Sequence, residues 1–115
     1  MKKQKKQLYE GMFIVSAQLS EEARKKALSR ITDKINNFEG KIESIIEMGR
    51  KKLGYEIGLH KEGYYFLVYF ECATNTLFEL HKEFRLNEDL IRFMIEKTQE
   101  AKTHLEFKKF IEVEG

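Results

Sequence analysis

Residues Tyr64 to Cys72 leave the chain few ways to fold, because they alternate as a β-strand yet carry apolar side chains on both faces. Tyr64, Phe66, Val68 and Phe70 share one face, and Tyr65, Leu67 and Tyr69 share the other. The stretch Leu8 to Val15 repeats the pattern: Tyr9, Gly11, Phe13 and Val15 lie on one side, with Glu10, Met12 and Ile14 opposite. A sheet built on these strands either covers both sides or leaves an apolar patch in water.

A third, longer strand spans Lys41 to Leu59, and its apolar parity reverses along the way. Ile42, Ile46 and Met48 occupy one parity, whereas Leu53, Tyr55, Ile57 and Leu59 occupy the other. One extra residue in the ladder restores a common inward face, and Gly49 is the natural place for that bulge. Beyond it Arg50 and Lys52 are predicted to share the face opposite the core set. The basic triplet Arg50 to Lys52 reads either as an anion-facing strand or as edge protection. If the two side chains are exposed, their removal should leave stability nearly unchanged.

Helical patterns separate the strands. Ser20 is a predicted N-cap, with Glu21 and Glu22 in the first turn and Ala23, Ala27, Ile31 and Ile35 at four-residue spacing to about Asn36. The outer stripe Arg24, Lys25, Arg30 and Lys34 reads as solvated. After a turn at His60 to Gly63 and the aromatic strand, Thr76 and Glu79 form a capping-box pattern. Leu77, Leu80 and Phe84 then mark a second helix ending near Arg85. A last strand covers Leu90 to Lys97, with Phe93 and Ile95 on one face and Arg92, Met94 and Glu96 on the other.

Strand, helix, strand, strand, helix, strand is the ferredoxin-like split βαβ order, an α+β fold with a four-stranded antiparallel sheet and both helices on one face. Phe13, Ile31, Phe66, Val68, Leu80 and Phe93 are expected between sheet and helices. The uncovered side would expose Met12, Ile14, Tyr65, Leu67, Tyr69 and Met94, with Arg92 among them and Arg50 and Lys52 beside them. Aromatics framed by arginines suit base stacking or a protein partner. The alternative is that Thr103 to Gly115 folds back over this patch.

Composition narrows the function. With 21 Lys+Arg against 19 Asp+Glu the net charge is only +2, so affinity for nucleic acid has to come from charge distribution. That distribution is uneven, since residues 1–7 hold four lysines and no acid. Cys72 stands alone and cannot form an internal disulfide, which fits a reducing cytosol. His60, His81 and His104 are scattered and show no metal-ligand spacing with Cys72. No phosphate loop or nucleophile elbow is present, and no apolar run has the length of a membrane span. The reading is a single non-enzymatic domain over residues 8–98, with a basic tail at 1–7 and an extension at 99–115, needing no cofactor, metal, small-molecule substrate or membrane.

Several blocks together resemble one family. Leu8-Tyr9-Glu10, the run Gly49-Arg50 through Leu53, Tyr55 and Ile57, Glu62-Gly63-Tyr64-Tyr65, and Phe84 to Glu88 leading to Ile91-Arg92-Phe93 are similar to the bacterial small-subunit ribosomal protein S6 family over about residues 8–98. Gly54, Glu56 and Met48 depart from that family's usual alanine, proline, and tryptophan or leucine. The resemblance implies a structural component of the small ribosomal subunit, cytoplasmic and ribosome-associated. It would bind the central domain of small-subunit ribosomal RNA together with ribosomal protein S18. It further implies RNA-facing roles for Arg50, Lys52, Arg85 and Arg92, and Lys2 and Lys3 join them on charge alone. The partner surface would be Met12, Ile14, Tyr65, Leu67, Tyr69 and Met94, with Phe107 and Phe110 from the extension. Two other uses of the fold stay open: an acylphosphatase-like enzyme and a ligand-binding regulatory module.

Leu105, Phe107, Phe110, Ile111 and Val113 are too apolar for a solvating tail, and their spacing matches neither a helix nor a strand. Ordering such a segment costs on the order of 1 to 2 kcal/mol per residue, so a partner surface is expected to supply the burial. Backbone amides from Leu105 to Val113 should therefore exchange rapidly in the isolated protein and become protected on assembly. Strong protection without any partner would instead favour a self-covered sheet.

Overall fold

The structure, a computed structural model, describes residues 5–57 and 60–101. Its elements are β1 (Lys6–Ser16), α1 (Glu21–Asn37), β2 (Lys41–Ile57), β3 (His60–Ala73), α2 (Thr76–Arg85) and β4 (Leu90–Lys97). The strands form one antiparallel sheet in the order β2-β3-β1-β4. This is the predicted ferredoxin-like topology, with the two doubly apolar strands in the middle. Lys2, Lys3, Phe107, Phe110 and the segment expected to order on a partner lie outside the described residues.

β1 starts two residues earlier than its apolar pattern, at Lys6 opposite Ala73, so Lys6 and Gln7 belong to the sheet. In α1 the Ser20 hydroxyl accepts from the Ala23 amide at 3.1 Å, and Ala27, Ile31 and Ile35 are buried. The helix ends at Asn37 with Phe38 as its C-cap, and Glu39 beyond it is left-handed at φ 62°, while the Gly40 amide donates to the Ile35 carbonyl at 2.8 Å. The predicted capping box of α2 does not form. Thr76 is already the first helical residue, and Asn75 in the cap position makes no side-chain cap bond.

The main core lies between sheet and helices. Phe13, Ile31, Phe66, Val68 and Leu80 are all buried there, with Phe93 half-buried at the β4 edge. Phe13 holds the centre: its ring meets Phe84 edge-on at 5.0 Å and stacks against Phe93 at 6.2 Å. Cys72 closes the same core. Burial, then the neighbouring Glu71 carboxylate, pushes its thiol up to about 11, so it stays a protonated packing residue at neutral pH.

Three expectations need correction. The hairpin does not turn at His60 to Gly63, because Ile57 pairs with His60 and the ladder continues through Lys52–Glu62 and Lys51–Gly63. Gly63 sits inside β3, where a Cβ would come within 2.3 Å of Ile14 Cγ2. The Gly49 bulge is real, with φ +87° and a register shift at Glu47/Gly49, but a second shift at Ile42/Ser44 has no glycine to announce it. That earlier bulge leaves Ile42 in the helix-side core and sends Ile46 and Met48 to the opposite face, which Leu53 joins after the Gly49 shift.

The third correction follows from the second. The face away from the helices is not an exposed patch: Ile14, Tyr65, Leu67 and Tyr69 are buried, Met12 is half-buried, and only Met94 is exposed, at 43%. Ile14 and Tyr65 pack with Leu53, Met12, Met48 and Ile91, while Leu67 and Tyr69 pack with Met12, Ile46 and Met48. The side chains redirected by the β2 bulges thus contribute to a second apolar layer. Tyr69 donates its hydroxyl to Glu10 Oε2 at 2.7 Å, which satisfies the polar end of a fully buried ring.

Truncating Phe13 to Ala should cost roughly 3 to 5 kcal/mol through lost transfer energy and the cavity left among Phe84, Phe93 and Phe66. Urea denaturation at constant m-value checks this, and a loss below about 1 kcal/mol would show that the site collapses freely.

Candidate nucleic-acid interface

The bulge that redirects the apolar residues of β2 also redirects its charges. Directly opposed residues of an antiparallel pair share a face. Arg50 pairs with Tyr64 and Lys52 with Glu62, and Tyr64 packs against the helix-side core. Arg50 and Lys52 therefore project on the helix side of the sheet, not on the side predicted for them, although both are exposed as expected. At Gly49 a Cβ would touch nothing within 4 Å, so the glycine is required by its left-handed backbone alone.

On that side Arg50 meets the loop between β1 and α1. Its Nη2 donates to the Ala17 carbonyl oxygen at 2.9 Å. Arg24, from the first turns of α1, lies with its guanidinium carbon 4.3 Å from the centroid of the Tyr64 ring and donates to the Leu19 carbonyl at 3.0 Å. The Tyr64 hydroxyl donates to Glu47 Oε1 at 3.3 Å. Arg24, Tyr64, Arg50 and Lys52 thus make a cationic and aromatic group at the β2 edge, anchored by backbone carbonyls. By sequence spacing alone Arg24 falls in the solvated stripe of α1. No sequence signal marks it, because only the docking of α1 over β2 and β3 brings it to Tyr64.

The other predicted cations stand elsewhere. Arg85 is exposed in the last turn of α2, which packs on β3 and β4. Arg92 is exposed on β4 opposite Ile14, on the face away from the helices. The four described residues therefore form at least two separate positions on the molecule. Met94 and half-buried Met12 are the accessible part of the predicted partner surface, and Ile14, Tyr65, Leu67 and Tyr69 back it from within.

A cleft of about 450 Å³ opens between α1 and the end of α2, lined by Arg30, Asp33, Lys34, Glu83 and Asp89 among others. Its charges are largely spent on each other, since Arg30 pairs with Asp89 and Lys34 with Glu83 at 2.8 Å. His81 packs edge-on against Phe93 at 4.8 Å. Among the described residues no group of three or more His, Cys, Asp or Glu side chains could hold a metal ion, and no helix is long and apolar enough to cross a membrane. What the described surface offers is fixed positive charge beside aromatic rings, which suits an anionic polymer better than a reaction.

The fold is that of a ferredoxin-like domain, with a cationic and aromatic group at the β2 edge. The family profile described as ribosomal protein S6 matches residues 8–97. Small ribosomal subunit protein bS6 of Chlamydia caviae is 50% identical over 107 residues, covering 93% of this chain and 96% of that protein. Its counterpart in Protochlamydia amoebophila is 50% identical over 101 residues, covering 88% and 89%. A crystal structure of 30S ribosomal protein S6 from Thermotoga maritima superimposes with a TM-score of 0.76 at 31% identity, covering 92% of this chain and 94% of that one. The C-terminal domain of MgtC from Mycobacterium tuberculosis, at 12% identity and a TM-score of 0.58, shares the fold alone.

The chain belongs to the ribosomal protein S6 family. It is a structural protein of the small ribosomal subunit, ribosome-associated in the cytoplasm, and the acylphosphatase-like alternative is set aside.

Because Arg50 ties β2 to the β1–α1 loop, its substitution is not silent for folding as sequence spacing suggested. Arg50→Ala should cost about 1 kcal/mol for the lost hydrogen bond, whereas Lys52→Ala should stay within about 0.5 kcal/mol. Equal and negligible costs in urea titrations would show that the Ala17 contact does not persist in solution.

Proposed function

We propose that this protein binds the central domain of small-subunit ribosomal RNA together with ribosomal protein S18. The observation that carries the RNA part is the group at the β2 edge, where Arg24 stacks on Tyr64, Arg50 lies directly across from it and Lys52 follows two residues on, on a backbone set by the Gly49 bulge. A guanidinium held by a carbonyl keeps its remaining N–H donors free for phosphate oxygens and starts from a reduced conformational entropy. Lys52 adds a point charge nearby. Arg85 and Arg92 supply further positions around the fold, and Lys2 and Lys3 extend the basic charge beyond the sheet.

For S18 the support is the face away from the helices. Met94 and Met12 offer adaptable apolar contact, and Met12 packs on the buried layer of Ile14, Tyr65, Leu67 and Tyr69. Phe107 and Phe110 would join it from the extension. The domain limits follow the same reading, with residues 8–98 as the binding module, and 1–7 and 99–115 as arms that complete contacts on the subunit.

Co-purification with S18, followed by footprinting of the ribosomal RNA with and without it, tests both halves. Substituting Arg50 and Lys52 together by Ala should weaken RNA binding and lower the slope of log affinity against log salt by about 2, close to one unit per lost phosphate contact. An unchanged slope at several salt concentrations would remove this strand from the RNA interface.

A further inference from the structure

The outer face of α2 carries an arrangement that packing does not explain. Leu80 and Phe84 turn into the core, yet Phe78 is 65% exposed and Leu86, just past the helix, is 75% exposed. At 100° per residue Phe78, Lys82 and Arg85 fall in one narrow stripe opposite the buried pair. The Lys82 ammonium lies 4.8 Å from the centroid of the Phe78 ring. Neither Lys82 nor Arg85 forms an ion pair within the described residues. Of the two acids of the helix, Glu83 turns towards α1, where it pairs with Lys34, and Glu79 is exposed outside the stripe.

We propose that this stripe is a second RNA contact, in which an unpaired base stacks on Phe78 while Lys82 and Arg85 hold the adjoining phosphates. The inference rests on the RNA-binding reading above and adds a site to it. Charge complementarity selects the occupant: two uncompensated cations flank one exposed ring, and no carboxylate enters the stripe. A protein-docking face of this size would need a broader apolar centre, since a single ring and one leucine leave little area once the cations are excluded. A base needs only one π-face and a neighbouring positive charge. Lys82 beside the ring also limits its rotamers, so the stacking platform is partly set before binding.

The test uses the full-length chain with S18 and a transcript of small-subunit ribosomal RNA. Phe78→Leu keeps an apolar side chain but removes the ring, and should weaken RNA binding about 5- to 100-fold with loss of protection at a short run of unpaired nucleotides. Phe78→Tyr should restore binding to within about threefold of wild type. Lys82→Ala with Arg85→Ala should lower the salt slope by about 1 to 2. The inference is overturned if Phe78→Leu binds RNA as wild type does while Arg50 and Lys52 substitutions still weaken it, which leaves the main RNA reading intact. It is equally overturned if Phe78→Leu loses S18 but not RNA, since the face would then dock a protein. Absence of RNA binding by the wild-type pair would bring down both readings.

Discussion

The pairing of β1 with β3 governs the rest of this molecule. The two strands run antiparallel in unbroken register from Lys6–Ala73 to Ser16–Gly63, and both faces of the pair are apolar. A slip by one residue would exchange the two faces, placing Met12 and Ile14 where Phe13 and Val15 now fit beneath the helices. The centre of the sheet therefore has no freedom to adjust. Every irregularity in strand pairing falls on the edge strands, with three register shifts in β2, at Ile42/Ser44, Glu47/Gly49 and Lys52/Ile57, and one in β4 opposite Ile14/Val15.

Those irregularities turn a simple sandwich into a two-layered core with charge on a chosen side. In β2 the first shift leaves Ile42 under the helices and sends Ile46 and Met48 to the far face; the second returns odd-numbered residues to that same face, so Leu53 joins them. Arg50 and Lys52 are thereby aimed towards α1. There the carbonyl of Ala17 holds Arg50, and the ring of Tyr64 holds Arg24 of α1 beside it. Only a glycine adopts the left-handed geometry of the second shift without strain, so Gly49 determines the direction of the charge that follows it.

With so small a net charge, where the charges go matters more than how many there are. Between the helices, Arg30 pairs with Asp89 and Lys34 with Glu83, and Asp33 and Glu88 line the same cleft, so no positive charge is left over there. Among the described residues, cations outside these ion pairs stand at the β2 edge and along the outer face of α2, in each place beside an exposed or half-buried ring. Surfaces of this kind attract an anionic polymer at long range and distinguish its parts by stacking at short range. Such a surface needs no titrating group, and the cysteine at the core is correspondingly held protonated by its burial.

The sequence by itself determined the order of the elements, their approximate limits, the Ser20 cap, the Gly49 bulge and the helix-side core, because these depend on local propensity and on periods of 2 and 3.6 residues. It also carried the family, through blocks such as Glu62-Gly63-Tyr64-Tyr65 whose order and spacing survive in a linear reading. Only the tertiary structure decided which way Arg50 and Lys52 face, because the bulge at Ile42/Ser44 has no residue type that signals it. The same holds for the burial of Tyr65, Leu67 and Tyr69, which pack with side chains of β1, β2 and β4 that only the sheet brings together, and for Arg24, which reaches Tyr64 only once α1 has docked. Parity along one strand is a local property, whereas the side of a sheet is fixed by every register shift between that strand and its neighbour.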